Sequence, residues 1–156
     1  MTTNGINDFD FLIGEWSVAH RRLKRRLLGD TEWIAFEGPA WVRKILNGLG
    51  NFDEITINLP DGAYVGATVR LYNPSTGLWS IYWMDSRKPG LDPPMTGRFQ
   101  EDGRGLFFGD DVFEGRPIKV RFIWSPMSPA ECRWEQAFSV DAGRSWETNW
   151  TMVFTR

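Results

Sequence analysis

The sequence is poor in the residue types that build common metal and disulfide sites. It contains one histidine, His20, and one cysteine, Cys132, among 156 residues. A single cysteine excludes a disulfide framework within the chain and suits a reducing compartment. One histidine and one cysteine do not suffice for a common zinc site. The carboxylates of Asp110, Asp111 and Glu114 lack the spacing of an EF-hand loop. We therefore predict no metal site.

Long apolar runs and a strong net charge are also lacking. No stretch approaches the roughly 20 residues that a transmembrane helix needs. Met1–Gly5 opens the chain without the basic and apolar regions of a signal peptide. The formal net charge is −2, so no global field favours nucleic acid. These absences predict a cytoplasmic protein with neither a membrane nor a nucleic acid as its partner.

Tryptophan, by contrast, is abundant: nine residues are spread between Trp16 and Trp150. Trp is amphipathic, and its N–H usually finds a hydrogen-bond partner when it is buried. A chain with this much Trp builds either a heavily aromatic core or an aromatic-walled cavity.

The pattern of the chain is that of a β-protein. From Glu15 to Gly143, turn-forming residues recur at short intervals, and the segments between them alternate apolar and polar residues. We count about ten strands joined by hairpins, and one short helical turn near Ile6–Ile13. Closure into an up-and-down barrel would protect the edges of such a sheet. The sequence thus predicts one all-β domain over residues 1–156, a closed antiparallel barrel, with a two-sheet sandwich as the alternative.

Alternation along the strands predicts which side chains point inward. Trp83, Trp134 and Trp150 lie in the middle of strands and are predicted to line a cavity, whereas most other Trp rings are expected to fill the core and the barrel ends. Gln136 and Thr148 are polar residues on predicted inward faces, where a ligand or bound water would satisfy them. In the last strand, Trp146 is predicted to share a side with Trp150.

Motifs at both ends of the chain resemble a known barrel family. Phe9–Trp16 reads F-x-F-L-x-G-x-W, which is similar to the G-x-W entry of lipocalin and fatty-acid-binding (calycin) barrels. In those folds the Trp plugs one end of the barrel, and a late Arg packs across its ring. The resemblance implies that Trp16 is this plug and Arg156 its partner. With D-x-G-x-S-W-E-x-N-W-x-M-x-x-x-R over Asp141–Arg156, nearly the whole chain resembles an uncharacterised bacterial lipocalin-like domain family. Neither motif is catalytic.

A second resemblance is local. Ser139–Trp146 matches the Asp-box, S-x-D-x-G-x-[ST]-W, of sialidase propellers. In that motif the Asp closes a hairpin through backbone N–H groups and the Trp packs beneath it. A propeller would repeat the motif at a regular period, and this chain carries one copy. We interpret it as a hairpin staple rather than as evidence of glycosidase chemistry.

The first strand places two polar side chains on the face of Trp16. If Trp16 points inward, alternation turns His20 and Arg22 inward as well, where both would be costly without partners. The functional interpretation is that they bind the polar end of a ligand, with Arg22 gripping a carboxylate or phosphate. The alternative is that the strand bends or frays after Val18, so that the basic run His20–Arg26 is a solvated strand end and turn.

No cofactor or catalytic group is selected by the sequence. Some similar barrels bind haem through a late histidine, whereas His20 lies on the first strand, so haem is not expected. No serine occupies a G-x-S-x-G elbow. Glu37, Glu54 and Glu135 are mid-strand carboxylates available for acid–base chemistry, and nothing distinguishes one of them.

Three functional hypotheses follow. The first is a binding protein for a small, largely apolar ligand with a polar or anionic head, which predicts a cavity of several hundred Å³ faced by Arg22. The second is an acid–base enzyme, which predicts a carboxylate or Tyr within hydrogen-bond reach of His20. The third is a ligand-free barrel that acts through self-association or a protein partner, which predicts a filled lumen. A homodimer is the default assembly for a small barrel, and no residue pattern here demonstrates it.

Overall fold

Ten strands cross the part of the chain that the computed structural model describes, residues 4–156, and each pairs with the next in antiparallel fashion. The strands are β1 (Gly14–Leu23), β2 (Trp33–Ile45), β3 (Gly50–Leu59), β4 (Gly62–Asn73), β5 (Leu78–Asp85), β6 (Met95–Phe99), β7 (Gly105–Phe113), β8 (Arg116–Ser128), β9 (Glu131–Ser139) and β10 (Glu147–Thr155). Because β1 pairs with both β2 and β10, the sheet closes. The predicted barrel is confirmed over the sandwich. The single domain predicted over residues 1–156 includes residues 1–3, which lie outside the described residues.

The residues ahead of β1 close one end of the barrel. The described residues contain three short 3-10 turns: Gly5–Asn7, Asp10–Leu12 and Leu46–Gly48. The first two confirm the predicted N-terminal turn. Between them, the ring of Phe9 is fully buried and meets Trp79 edge to face, with the ring centroids 5.0 Å apart. The indole N–H of Trp79 donates to the carbonyl of Gly5 at 3.1 Å. None of these turns is long and apolar enough to cross a membrane.

Trp16 and Arg156 meet at the same end. Trp16 is buried, and its indole N–H donates to the carbonyl of Leu12 at 2.8 Å. The guanidinium carbon of Arg156 lies 4.0 Å from the centroid of the Trp16 ring. The same guanidinium donates to the carbonyls of Ile13 at 2.6 Å and Pro129 at 2.9 Å. Arg156 therefore ties the end of the chain to the N-terminal turn across the face of Trp16.

An irregularity in β10 corrects the prediction for the last strand. The pairing of β10 with β9 shifts between Thr148 and Trp150, as in a β-bulge. Trp150 consequently lies opposite Gln136 on the inner face, whereas Trp146 precedes the strand and packs against the outward ring of Phe108, with centroids 6.1 Å apart. Thr148 pairs with Ala137, the neighbour of the inward Gln136, so alternation places Thr148 on the outer face. The predictions that Trp146 shares a side with Trp150 and that Thr148 points inward are wrong, because the bulge reverses the alternation.

The Asp-box segment forms the hairpin between β9 and β10. The carboxylate of Asp141 accepts the backbone N–H of Ser145 at 2.9 Å and the hydroxyl of Ser139 at 2.8 Å. The Ser139 hydroxyl oxygen accepts in turn from the backbone N–H of Gly143 at 2.8 Å. The hydrogen bonds from Ser145, first of all, hold the pKa of Asp141 well below its usual range. Asp141 thus fixes a turn through local hydrogen bonds.

Candidate functional site

A cavity of about 300 Å³ lies inside the barrel, between the N-terminal plug and the opposite mouth. Apolar side chains from many strands form most of its wall, among them Ile55, Ile57, Ile81, Val120, Met152 and Phe154. Period-two alternation puts these side chains on the inner face of the closed sheet. A volume near 300 Å³ is at the small end of the range for ligand pockets, roughly 300–1,000 Å³. The barrel therefore has room for one small, largely apolar molecule.

Five of the six residues predicted to contact a ligand line this cavity: Arg22, Trp83, Trp134, Gln136 and Trp150. Trp134 and Trp150 meet edge to face, with their ring centroids 5.7 Å apart. The amide of Gln136 donates to Asn149 at 3.0 Å, so this predicted ligand contact already has one protein partner.

His20, the sixth predicted residue, is buried but is not among the described side chains that line the cavity. Its Nδ1 accepts the indole N–H of Trp150 at 3.1 Å, and its ring stacks on Phe36 with the centroids 4.5 Å apart. Burial lowers the pKa of His20 to about 4, so the imidazole is neutral at pH 7. His20 is therefore buried beside Trp150 and outside the cavity lining, and its contact with a ligand stays a prediction.

β1 remains a regular strand beyond Val18 and ends at Leu23, so the alternative of a strand that bends or frays after Val18 does not apply. Arg22 consequently faces inward, and its guanidinium carbon lies 5.4 Å from the centroid of the Trp150 ring. The exposed Arg21 alternates to the outer face and packs over Trp33. The basic run is thus divided between the outer surface of the barrel and the cavity.

Arg22 and Arg26, which we call the mouth arginines, both line the open end of the cavity. The guanidinium carbon of Arg26 lies 4.7 Å from the Phe113 ring centroid. Neither mouth arginine forms a salt bridge with any residue between 4 and 156. The exposed Glu114 acts on Arg26 only from beyond salt-bridge distance. The Nε of Arg22 is buried and has no hydrogen-bond partner among the same residues.

The charge of Arg22 acts on Arg26. Burial first, and then the positive charge of Arg22, lower the pKa of Arg26 to about 10. The Arg26 guanidinium remains protonated at pH 7, because that value is still well above neutrality. Arg22 and Arg26 therefore carry positive charge that no salt bridge within the described chain offsets, in a cavity lining that also includes the carboxylates of Asp110 and Asp111.

Arg87, a third arginine of the mouth, is neutralised. It donates two hydrogen bonds of 3.0 Å to the carboxylate of Asp85, and its guanidinium carbon lies 3.7 Å from the Tyr64 ring centroid. Asp85 also accepts the indole N–H of Trp83 at 3.2 Å. These hydrogen bonds, those from Arg87 first, lower the pKa of Asp85 to about 2. The Asp85 carboxylate thus fixes Trp83 in the cavity wall and occupies Arg87.

A buried ion pair, Arg70 with Asp53, lies at the inner end of the cavity, and we call it the floor pair. Nη2 of Arg70 lies 2.6 Å from Oδ2 of Asp53, and Nη1 donates to Oδ1 of Asn51 at 2.8 Å. The exposed fraction is 3% for Arg70 and 6% for Asp53. Burial raises the pKa of Asp53, and the charge of Arg70 and hydrogen bonds from Thr68 oppose that rise. Arg70 also lies over two aromatic rings of the plug and wall, since its guanidinium carbon is 5.3 Å from the Phe9 ring centroid.

The floor pair was missed by the sequence analysis. In β4 the inward face carries Thr68 and Arg70, whereas the apolar Val65 and Val69 lie on the other face. The register pairs Arg70 with Asn51 of β3, one alternation away from Asp53. The sequence does contain an Asp and an Arg in adjacent strands, at positions where alternation puts both side chains on the same face of the sheet. That pattern becomes specific only when the register between the strands is known.

Reactive groups are few in the described chain. Between residues 4 and 156, no group of three or more His, Cys, Asp or Glu side chains is arranged to hold a metal ion. Cys132 is fully buried, and burial raises the pKa of its thiol to about 12. The thiolate, which is the nucleophilic form, is therefore scarce at neutral pH.

Comparison with known proteins identifies the fold. No family model and no curated protein matches the sequence. Among solved structures, the chain is similar to the S-type phycobiliprotein lyase CPES from Guillardia theta, with a TM-score of 0.62 and 10% sequence identity. The match covers 100% of this chain and 98% of that chain. At this identity the likeness concerns the fold alone, and it is that of a lipocalin-like barrel.

Proposed function

We propose that this protein binds a small, largely apolar ligand with an anionic head, and that the mouth arginines hold the head. The observation that carries the proposal is the pair itself: two part-buried guanidiniums that line one cavity, the charge of Arg22 acting on Arg26, without a salt bridge in the described chain. Burying charge without a partner is costly. A carboxylate, sulfonate or phosphate would offset that cost and accept bidentate hydrogen bonds from Arg.

The wall of the cavity suits the apolar part of such a ligand. Trp83, Trp134 and Trp150 present aromatic surface next to aliphatic side chains. Trp150 connects wall and mouth, because Arg22 lies over its ring while its N–H is held by His20. We propose that His20 is a positioning residue, which fixes the ring on which Arg22 rests.

Two observations favour binding over the alternative hypotheses. Acid–base chemistry at His20 requires a carboxylate or Tyr as its partner, and the hydrogen-bond partner that the described chain gives to His20 is Trp150. A ligand-free barrel requires a filled lumen, whereas a cavity of about 300 Å³ is present. The structural neighbour is a lyase by name, and fold alone does not transfer that activity.

The proposal also covers the setting of the protein. We propose that the chain belongs to the bacterial lipocalin-like family that its terminal motifs resemble, and the contact of Arg156 with Trp16 supports this assignment. We propose a cytoplasmic location, which the single reduced Cys132 supports. No cofactor is part of the proposal.

A pair of fluorescent probes with the same apolar body tests the head-group role. 1-Anilinonaphthalene-8-sulfonate carries an anion, and N-phenyl-1-naphthylamine lacks it. We expect the double variant Arg22→Ala/Arg26→Ala to weaken sulfonate binding by about tenfold or more, the effect of losing hydrogen bonds to a charged group, and to leave the neutral probe within about twofold.

Arg21→Ala is the matched control, because Arg21 belongs to the same strand and faces outward. Circular dichroism of each variant checks that the barrel is folded. An unchanged affinity of the folded double variant for the sulfonate would refute the role of the mouth arginines. Equal losses for both probes would also refute it, since a purely structural effect does not depend on the head group.

A further inference from the structure

We infer that the floor of the cavity is a second recognition point, which takes an uncharged hydrogen-bond acceptor at the inner end of the ligand. This inference rests on the proposed function and deepens it. Two N–H groups carry it: Nε of Arg70 and Nε1 of Trp124 are buried without a hydrogen-bond partner among residues 4–156. Both residues line the cavity, and both are 3% exposed. Buried donors are nearly always paired in native proteins.

The side chains of Arg70 and Trp124 lie next to each other. The guanidinium carbon of Arg70 is 5.3 Å from the centroid of the Trp124 ring. The two terminal nitrogens of Arg70, Nη2 and Nη1, are bound to Asp53 and Asn51, and these contacts hold the guanidinium in place. Trp124 is fixed by the plug, where its ring meets Phe9 edge to face. The floor is therefore a rigid pair of donors rather than a mobile arginine.

The charge of the floor determines which acceptor fits. Arg70 is positive and Asp53, 2.6 Å away, is its counterion, so the floor pair together is close to neutral. A second anion there would share one guanidinium with Asp53 inside a low-dielectric barrel, where like charges repel strongly. A carbonyl, ether or hydroxyl oxygen accepts the same hydrogen bonds without adding charge. The floor therefore favours an uncharged oxygen, in contrast to the mouth.

Together, the two ends of the cavity specify a class of ligand. Its anionic head lies at the mouth arginines, its body is apolar, and its inner end carries a carbonyl, ether or hydroxyl oxygen. Oxo and alkoxy carboxylates with an aliphatic or aromatic body belong to this class. A simple fatty acid of the same length satisfies the mouth and leaves the floor donors unpaired, which costs affinity because a buried donor without its partner loses the hydrogen bonds that it makes to water.

The test compares 9-oxodecanoate with decanoate by isothermal titration calorimetry. The two acids have the same chain length and the same head, and they differ by one carbonyl. For the wild-type protein we expect 9-oxodecanoate to bind about tenfold more tightly, the effect of one buried hydrogen bond. Trp124→Phe keeps an aromatic ring and removes one of the two donors, so it should reduce the preference to about threefold or less, with Nε of Arg70 left as the remaining donor. Trp146→Phe, which alters a ring outside the barrel, should retain the full preference.

A second readout locates the contact. In 1H–15N spectra, the indole signal that Trp124→Phe abolishes should shift further when 9-oxodecanoate binds than when decanoate binds. Equal affinities of the wild-type protein for the two acids would overturn the inference and would indicate that water satisfies the floor. An undiminished preference of about tenfold in Trp124→Phe would overturn it as well, because the acceptor would then make no use of the Trp124 N–H.

The same titrations separate this inference from the proposed function. If both acids bind equally and Arg22→Ala/Arg26→Ala weakens both, the role of the mouth stands and that of the floor is wrong. If neither acid binds the wild-type protein, the role of the mouth arginines in binding an anionic head is refuted, and the inference about the floor is refuted as well.

Discussion

Removal of one member of the floor pair tests the burial of charge inside this barrel. Arg70→Met keeps an unbranched apolar stem and removes the guanidinium that lies 2.6 Å from Asp53. Asp53, 6% exposed, would then be buried without its counterion. Breaking a buried ion pair by removing one partner costs about 3–5 kcal/mol of the free energy of unfolding. That is a large part of a typical total of about 5–15 kcal/mol.

The loss should depend on pH in a defined direction. Burial already raises the pKa of Asp53 above 3.8, and Arg70 opposes that rise, so the variant should have a still higher pKa. A carboxyl whose pKa is higher in the folded than in the unfolded state stabilises the fold below the unfolded value, and this contribution is lost as pH rises through the folded value. Arg70→Met should therefore lose less stability at about pH 5 than at about pH 8.

Urea unfolding followed by Trp fluorescence measures both effects. With a denaturant slope of about 1–3 kcal/mol per molar urea, a loss of about 3–5 kcal/mol should lower the midpoint at pH 8 by about 1–5 M. Arg70→Met/Asp53→Leu replaces the whole pair with apolar side chains and should recover most of the loss, because no charge remains unpaired. A loss below about 1 kcal/mol in Arg70→Met at both pH values would refute the reasoning, since it would mean that water reaches Asp53.

Three further predictions concern other parts of the barrel. Because burial lowers the pKa of His20 to about 4 from 6.5, stability should fall by about 3 kcal/mol as pH decreases from 6.5 towards 4; His20→Gln should flatten that dependence in urea titrations. Trp16→Ala should destabilise the barrel by about 3–5 kcal/mol, and a loss below 1 kcal/mol would contradict its role in the plug. Cys132, with its pKa raised to about 12, should resist iodoacetamide at pH 8 until urea unfolds the chain; rapid labelling of the native protein would contradict its burial.

The fold was predictable because its determinants are local. Period-two alternation and closely spaced turn residues specify short strands and hairpins. A chain of hairpins without a long crossover leaves few alternatives to an up-and-down sheet, and closure removes its edges. The bulge before Trp150 was not predictable from alternation, since one extra residue in a strand reverses the side of everything before it. That reversal placed Trp146 outside the barrel.

The site was predictable only where strand parity alone decides it. Parity correctly turned Arg22 inward from Trp16, but the position of His20 depends on Trp150, 130 residues away along the chain. That contact exists only because β1 and β10 close the barrel. Arg70 was not predicted, because the more polar face of β4 points inward. Its partner Asp53 can be identified only once the register between β3 and β4 is known.

The distribution of charge along the cavity gives the proposed ligand an orientation. At the inner end, the floor pair is internally compensated and presents only N–H donors. At the outer end, Arg87 is compensated by Asp85, whereas the mouth arginines are not compensated by a salt bridge. A ligand that entered with its anion first would place that anion next to the carboxylate of Asp53 and leave the mouth charges unpaired. The opposite orientation satisfies both ends at once, so the ligand would enter by its uncharged end and keep its anion at the mouth.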